Sequence, residues 1–329
     1  TQDNGAIITA DNDVRLNHQG AVSLAASTTA GGVFESLGAG SFSLAASGSI
    51  AATGSATITH DGTVSFSSTV NAADIAVTSN ATSTTAIRAV TGGAVLTAQT
   101  GNITLDSAGG IDFGSGTLQA PMGSIALTAA NAVTVGHASA GIDFTSTGTG
   151  TFELVTGGNI NTVGAVLIDH DGDITLRSTI TGDSITLDSA STAGNAIFAT
   201  TPSVILNTTG GDLTINSAGG INFTAGELHA TGGSVLLTSG AQVTTVKTVT
   251  ATGNVESMGA GAFDLTTGGV IAATGDVVID DVGTITFRGP VFGQSISVHS
   301  DDTGANAVFA TTGAAVLATS GGDLEITSA

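Results

Sequence analysis

The feature that most constrains this chain is a short segment written repeatedly as Gly-x-aliphatic-x-aliphatic: "GNITL" at Gly101, "GSIAL" at Gly123, "GDITL" at Gly172, "GDLTI" at Gly211 and "GTITF" at Gly283. Alternating apolar and polar residues bounded by Gly, Asn, Asp or Ser mark a half-buried strand, whereas a helix would repeat its apolar residues at three- and four-residue steps. No stretch carries the helical period. In "GDITL" the alternation turns Ile174 and Leu176 inward and Asp173, Thr175 and Arg177 outward. Such segments recur about every 8 to 14 residues, and several intervals lie near 22 or its half.

A longer period is laid over the short one. "GAGSF" at Gly38 returns as "GTGTF" at Gly148 and "GAGAF" at Gly259, so that Phe42, Phe152 and Phe263 are equivalent. "SAGGIDFGSGTLQA" from Ser107 returns as "SAGGINFTAGELHA" from Ser217, aligning Gly109 with Gly219, Gly110 with Gly220 and Phe113 with Phe223. "NAIFATT" from Asn195 returns as "NAVFATT" from Asn306, aligning Phe198 with Phe309. The period is about 110 residues, far longer than any single strand or coil. It divides the chain into a shorter, divergent unit over 1–100, units over 101–210 and 211–320, and the opening of a further unit at 321–329. The closing "SGGDLEITSA" matches "TGGDLTINSA" from Thr209, and "NGAIITA" from Asn4 also reads as a unit start. This predicts either a segment of a longer array or open ends that stack on other copies.

A β-propeller would need four-stranded blades with aromatic signatures, which are missing. Short strands, glycine corners and one continuous apolar face predict instead an all-β, right-handed parallel β-helix, or β-solenoid, of about 22 residues per coil and five coils per unit. Roughly 15 coils stacked at about 4.8 Å would give one continuous rod on the order of 70 Å long. Phe42, Phe152, Phe263, Phe113, Phe223, Phe198 and Phe309 are its expected core aromatics. Gly109, Gly110, Gly219 and Gly220 are its expected corners, because glycine tolerates positive φ and close neighbouring coils.

Composition narrows the function classes. A mean hydropathy of +0.40, with abundant Val, Ile, Leu and Thr, sets the chain apart from disordered sequences despite 48 glycines and a net charge of -21. Twenty-six acidic residues against five basic ones argue against nucleic acid, whose phosphates need clustered Lys and Arg. Every apolar run is interrupted before it could span a bilayer, so no membrane insertion is expected, and "TQDNGAII" does not read as a signal peptide. Absence of cysteine fits any compartment.

"GGDLTINSAGGINFTAGELHATGGSVLLTSG" at 210–240 resembles the repeats of filamentous haemagglutinin-like exoproteins, long β-helices that bacteria export by two-partner secretion. The likeness lies in Gly-Gly-Asp-Leu-Thr-Ile, then Ala-Gly-Gly-Ile-Asn, Gly-Glu-Leu and Gly-Gly-Ser-Val. "GNITLDSAGGIDFGSGTLQAPMGSIALTA" from Gly101 carries the same pattern. The resemblance implies an extracellular or cell-surface adhesin or structural rod, and no catalytic residues.

Chemistry-bearing clusters are few. "DHDGDITL" gathers Asp169, Asp171 and Asp173 as a calcium candidate, since hard cations need several nearby oxygens. Its counterparts "THDGT" from Thr59 and "DDVGT" from Asp280 do not preserve the ligand set, which favours a solvated acidic turn. His60 and His170 are equivalent, with Asp281 in the third unit; without further ligands they read as surface residues. Glycoside cleavage would draw on those aspartates, but there is no Trp or Tyr to hold a sugar and only four arginines, Arg15, Arg88, Arg177 and Arg288. Outward Thr-x-Thr ladders are also what strand propensity alone would give. The expectation is a non-enzymatic extracellular rod, adhesin stalk or filament segment without cofactor, capable of end-to-end or lateral self-association. The competing expectation is a β-helix module that binds a host or matrix glycan or a receptor.

Overall fold

A computed structural model describes residues 6–311 and 313–329; the expected unit start at Asn4 and Gly5 lies outside them. The chain forms two compact units, Thr1–Gly164 and Ala165–Ala329, called unit 1 and unit 2 from here on. Among the described residues every regular element is a strand, and the pairings within each unit are parallel. Each unit is a β-solenoid.

One coil shows the construction. The strand Ala56–His60 is followed by Val64–Phe66 and Val70–Ala72, and the chain then returns beside its start as Ile75–Ser79. The return places Ile75 opposite Ala56, Val77 opposite Ile58 and Ser79 opposite His60. Because side chains alternate, positions one, three and five of each five-residue strand share a face, and in Ala56–His60 all three are buried. Backbone groups are satisfied coil to coil, so chain identity matters mainly at the inward positions.

Coil length varies while register is held. In unit 2 the inward first positions Val166, Ile185, Leu213, Val235, Val255 and Val277 pair in sequence, so five coils carry the chain from Val166 to its equivalent, Val277. The coil from Val166 to Ile185 is markedly shorter than the next, from Ile185 to Leu213. A coil of about 22 residues is therefore an average.

Stacking produces files of like side chains. In unit 1, Val22, Phe42, Val64, Ile87, Ile111, Val133 and Phe152 succeed one another in register. Phe42 and Phe152 thus share one file, with smaller residues between them. Phe42, Phe113, Phe152, Phe223 and Phe263 are all at most 1% exposed. Phe198 and Phe309 correct the sequence reading. They are only partly buried, because Ile197 and Val308 take the inward register and the following phenylalanine must then point outward.

The double glycines do form close corners, but for one of the two expected reasons. Positive φ occurs only at Gly157 and Gly268 among the described residues, so Gly109, Gly110, Gly219 and Gly220 are not there for left-handed backbone. They are there because the preceding long coil presses against them. A Cβ on Gly110 would lie 2.0 Å from the Thr84 carbonyl oxygen, and one on Gly220 2.0 Å from that of Gly194. Gly110→Ala should therefore destabilise unit 1 by about 1–3 kcal/mol, since backbone rather than a flexible side chain must yield. Urea unfolding checks this; an unchanged midpoint would mean that the long coil moves aside freely.

Candidate functional site

The fifth position of the five-residue strands builds a polar file inside the core. In unit 1 it holds His60, Ser79 and Ser107; in unit 2 it holds His170, Ser189, Ser217, Ser239, Gly259, Asp281 and Ser300. The side-chain-bearing members are at most 6% exposed. His60 and His170, each 0% exposed, are therefore interior residues. The surface reading fails because "HDG" resembles a turn, although strand parity places His60 with Ala56 and Ile58. The same parity is the available signal for Asp281.

Most of this file serves the neighbouring turns. Ser79, Ser189 and Ser300 each donate through Oγ to a glycine carbonyl, those of Gly62, Gly172 and Gly283, at 2.9 Å. Ser107 Oγ donates to the Gly110 carbonyl at 3.3 Å and accepts from the Gly109 amide at 3.1 Å, tying the corner glycines to the strand before them.

His60 sits in a complete set of hydrogen bonds. Its Nδ1 donates to the Gly40 carbonyl at 3.0 Å, which fixes the tautomer and leaves Nε2 to accept from Ser36 Oγ at 2.9 Å. Burial pushes the imidazole below its ordinary pKa and His18 adds to this, while the Gly40 carbonyl and Asp61 oppose it. Ser36 and His60 have the atoms of a nucleophile–base pair, yet both are 0% exposed, so the pair is closed to any substrate. Its consequence is for stability. The unfolded histidine takes up a proton near pH 6.5 more readily than the buried one, so its contribution is present above that pH and lost as pH falls through the lowered folded value. With the intrinsic pH dependence of amide exchange divided out, protection of Phe34–Gly38 and Ala56–His60 should fall as pH drops below the ordinary histidine pKa of about 6.5. His60→Asn should flatten that response, and equal acid sensitivity in the variant would reject the assignment.

Asp281 occupies the equivalent place one long repeat after His170. It is 1% exposed, accepts from Ser257 Oγ at 3.0 Å through Oδ2, and has no hydrogen-bond partner for Oδ1. Burial raises its pKa to about 7, with Asp280 adding and the Ser257 hydroxyl opposing.

The acidic turn behaves differently from the calcium candidate. Asp169 and Asp171 are exposed, Asp169 lies in register with Asp188, and Asp173 accepts from Ser191 Oγ at 2.5 Å. Among the described residues no three His, Cys, Asp or Glu side chains gather as a cation would require, so Asp169, Asp171 and Asp173 are not brought to one site. Surface ion pairs are local: Arg15 bridges Asp13 and Glu35 at 3.0 and 2.8 Å, and Arg288 pairs with Asp264. Among the described residues, no helix is long and apolar enough to cross a membrane.

Comparison with known proteins gave no matching family model, no matching curated protein and no matching solved structure. The fold therefore defines the class: each unit is a parallel β-solenoid with a polar file in its core.

Proposed function

We propose that this protein is a non-enzymatic structural rod of the cell surface or extracellular space, a stalk of an adhesin or a segment of a surface filament. The observation that carries the reading is the closed interior. In each unit the apolar files and the polar file are buried, and the Ser–His pair, the arrangement nearest to a catalytic one, is shut off from solvent. The likeness of 210–240 to filamentous haemagglutinin-like repeats supports the same reading. A net charge of -21 keeps such rods apart in solution, and five basic residues leave few places for trypsin-like cleavage.

Electron microscopy of the native material tests it. Stiff rods or fibres with an axial repeat of a whole number of coils are the expected result, and flexible beads would overturn it. A second reading, a glycan-binding module, draws on outward amides and hydroxyls such as Gln99, which donates to Asn71 at 2.8 Å, and Thr97, which donates to Gln119 at 3.4 Å. Saturable binding on a glycan array would favour that reading over the inert rod.

A further inference from the structure

The outward side of one sheet differs between the two units. In the five-residue strands, positions two and four point away from the core. Five such strands follow one another in unit 1: Ala56–His60, Ile75–Ser79, Ile103–Ser107, Ile125–Ala129 and Phe144–Gly148. They pair in parallel, residue opposite residue, with no register shift. Position four holds Thr59, Thr78, Thr128 and Thr147, interrupted only by Asp106; position two holds Thr57, Thr104 and Thr145, separated by the small Ala76 and Ala126. Neighbours within a file lie about 4.8 Å apart, and the two files about 6.6 Å apart along the strand.

Strand propensity does not account for this face. Threonine is favoured in any exposed strand position, yet at the ten equivalent positions of unit 2 only Thr186, Thr214 and Thr238 are threonine. Asp169, Asp188 and Glu256 bring three carboxylates to the same places, and Leu236 and Met258 bring bulk. On the unit 1 face Asp106 is the one charge, in a chain with 26 acidic residues. At one edge the face ends in an ion pair, where Glu35 stands in register with Thr57 and accepts from Arg15 at 2.8 Å.

The threonines of the face keep their hydroxyls for the solvent. Among the described residues no protein group hydrogen-bonds any of the seven side chains, and all seven are accessible. Thr53, Thr91 and Thr97, which lie outside the face, instead donate to Gly31, Ser67 and Gln119. A branched Cβ restricts χ1, so fixing these methyls and hydroxyls against a partner loses little rotamer freedom. Phosphates would need cations, which this face lacks. A regular array of free hydroxyls is suited to ordered water, and spacings of about 4.8 and 6.6 Å lie close to the repeats of water oxygens on a prism face of hexagonal ice.

We infer that the outward face of unit 1 between Ala56 and Gly148 binds ice, its threonines holding a layer of water in register with the crystal. The hydroxyls anchor that layer by hydrogen bonds. The methyls, with Ala76 and Ala126, restrict the orientation of the water between the anchors. Asp106 works against binding, because a carboxylate gives up its own hydration only at a cost.

Partition of the intact protein into slowly growing ice tests this, together with thermal hysteresis measured on single ice crystals. The expected result is enrichment in the ice fraction and faceted crystals. Exclusion of the folded protein from ice would overturn the inference, and so would retention on powdered crystalline cellulose or chitin with exclusion from ice. Thr104→Lys, at the centre of the face, should remove most of the hysteresis, while Thr214→Lys, at the equivalent place in unit 2, should leave it intact. Asp106→Thr completes the position-four file and should raise the hysteresis above the native value, a gain that misfolding cannot produce. Equal losses from the two lysine variants, or no gain from Asp106→Thr, reject the assignment to this face.

Discussion

Phe66→Ala should cost unit 1 about 4 kcal/mol, the middle of the range for removing a buried aromatic ring. Phe66 is 0% exposed and touches two other rings, with centroids 6.1 Å from both Phe42 and Phe113. The contact with Phe113 crosses an intervening coil, because Ala89 stands in register above Phe66 and is too small to keep the rings apart. Truncation therefore opens a cavity whose nearest wall is already an alanine. Neighbours held by coil-to-coil ladders cannot collapse into it, so the cavity penalty stays near its full value. Equilibrium urea unfolding with hydrogen exchange would place the loss on Val64–Phe66 and the strands paired with it, Phe42–Leu44 and Ile87–Ala89. A change below about 1 kcal/mol would show that the ring file is looser than its geometry. Ala89→Val offers the complementary check, since wedging the rings apart should also destabilise the unit.

The second large effect is a dependence on pH in unit 2. Asp281 has a folded pKa of about 7 against 3.8 for the exposed group, so the folded state holds its proton more tightly than the unfolded state. Stability is therefore greatest below about pH 4 as far as this residue is concerned, and it is lost as pH rises through 7. The full shift corresponds to at most about 4 kcal/mol. The neighbours in its file, Gly259 and Ser300, carry no charge that could compensate, and Asp280 adds like charge from the adjacent outward position. With the intrinsic pH dependence of amide exchange divided out, protection around Val277–Asp281 in unit 2 should accordingly be lower at pH 8 than at pH 5.5, while His60 gives unit 1 the opposite response. Asp281→Asn keeps the shape and removes the titration; persistence of the alkaline weakening in that variant would assign it elsewhere.

Strand parity explains both what is readable in the sequence and what is not. Ile174 and Leu176 can be turned inward from "GDITL" alone, because alternation is unambiguous where aliphatic and polar residues take turns. At "AIFAT" the adjacent apolar pair Ile197 and Phe198 offers two candidates for one inward place, and residue type suggests the ring where register selects the isoleucine. At "ATITH" the chemistry of histidine speaks for the surface and parity for the interior, and parity decides. The role of the double glycines is legible only in part. Sequence marks the corner, but the carbonyls of residues 83–84 and 193–194 that crowd it belong to another coil. Unpaired oxygens at Ser239 and Asp281 depend on three strands meeting at one height, and no local pattern announces that.

The unequal coil lengths have a genetic consequence. The chain takes a much longer path from Ile75 to Ile103 than from Ala56 to Ile75, yet both coils end with the same residues facing the core. Codons gained or lost at the corner around 80–86 repack its contact with Gly109 and Gly110 but leave the inward and outward sets of the strands unchanged. One codon gained or lost inside Ile103–Ser107 would exchange the inward and outward sets for the rest of that strand. Length variation among descendants of this sequence should therefore collect at the bulging corner, leaving the spacing within strands fixed.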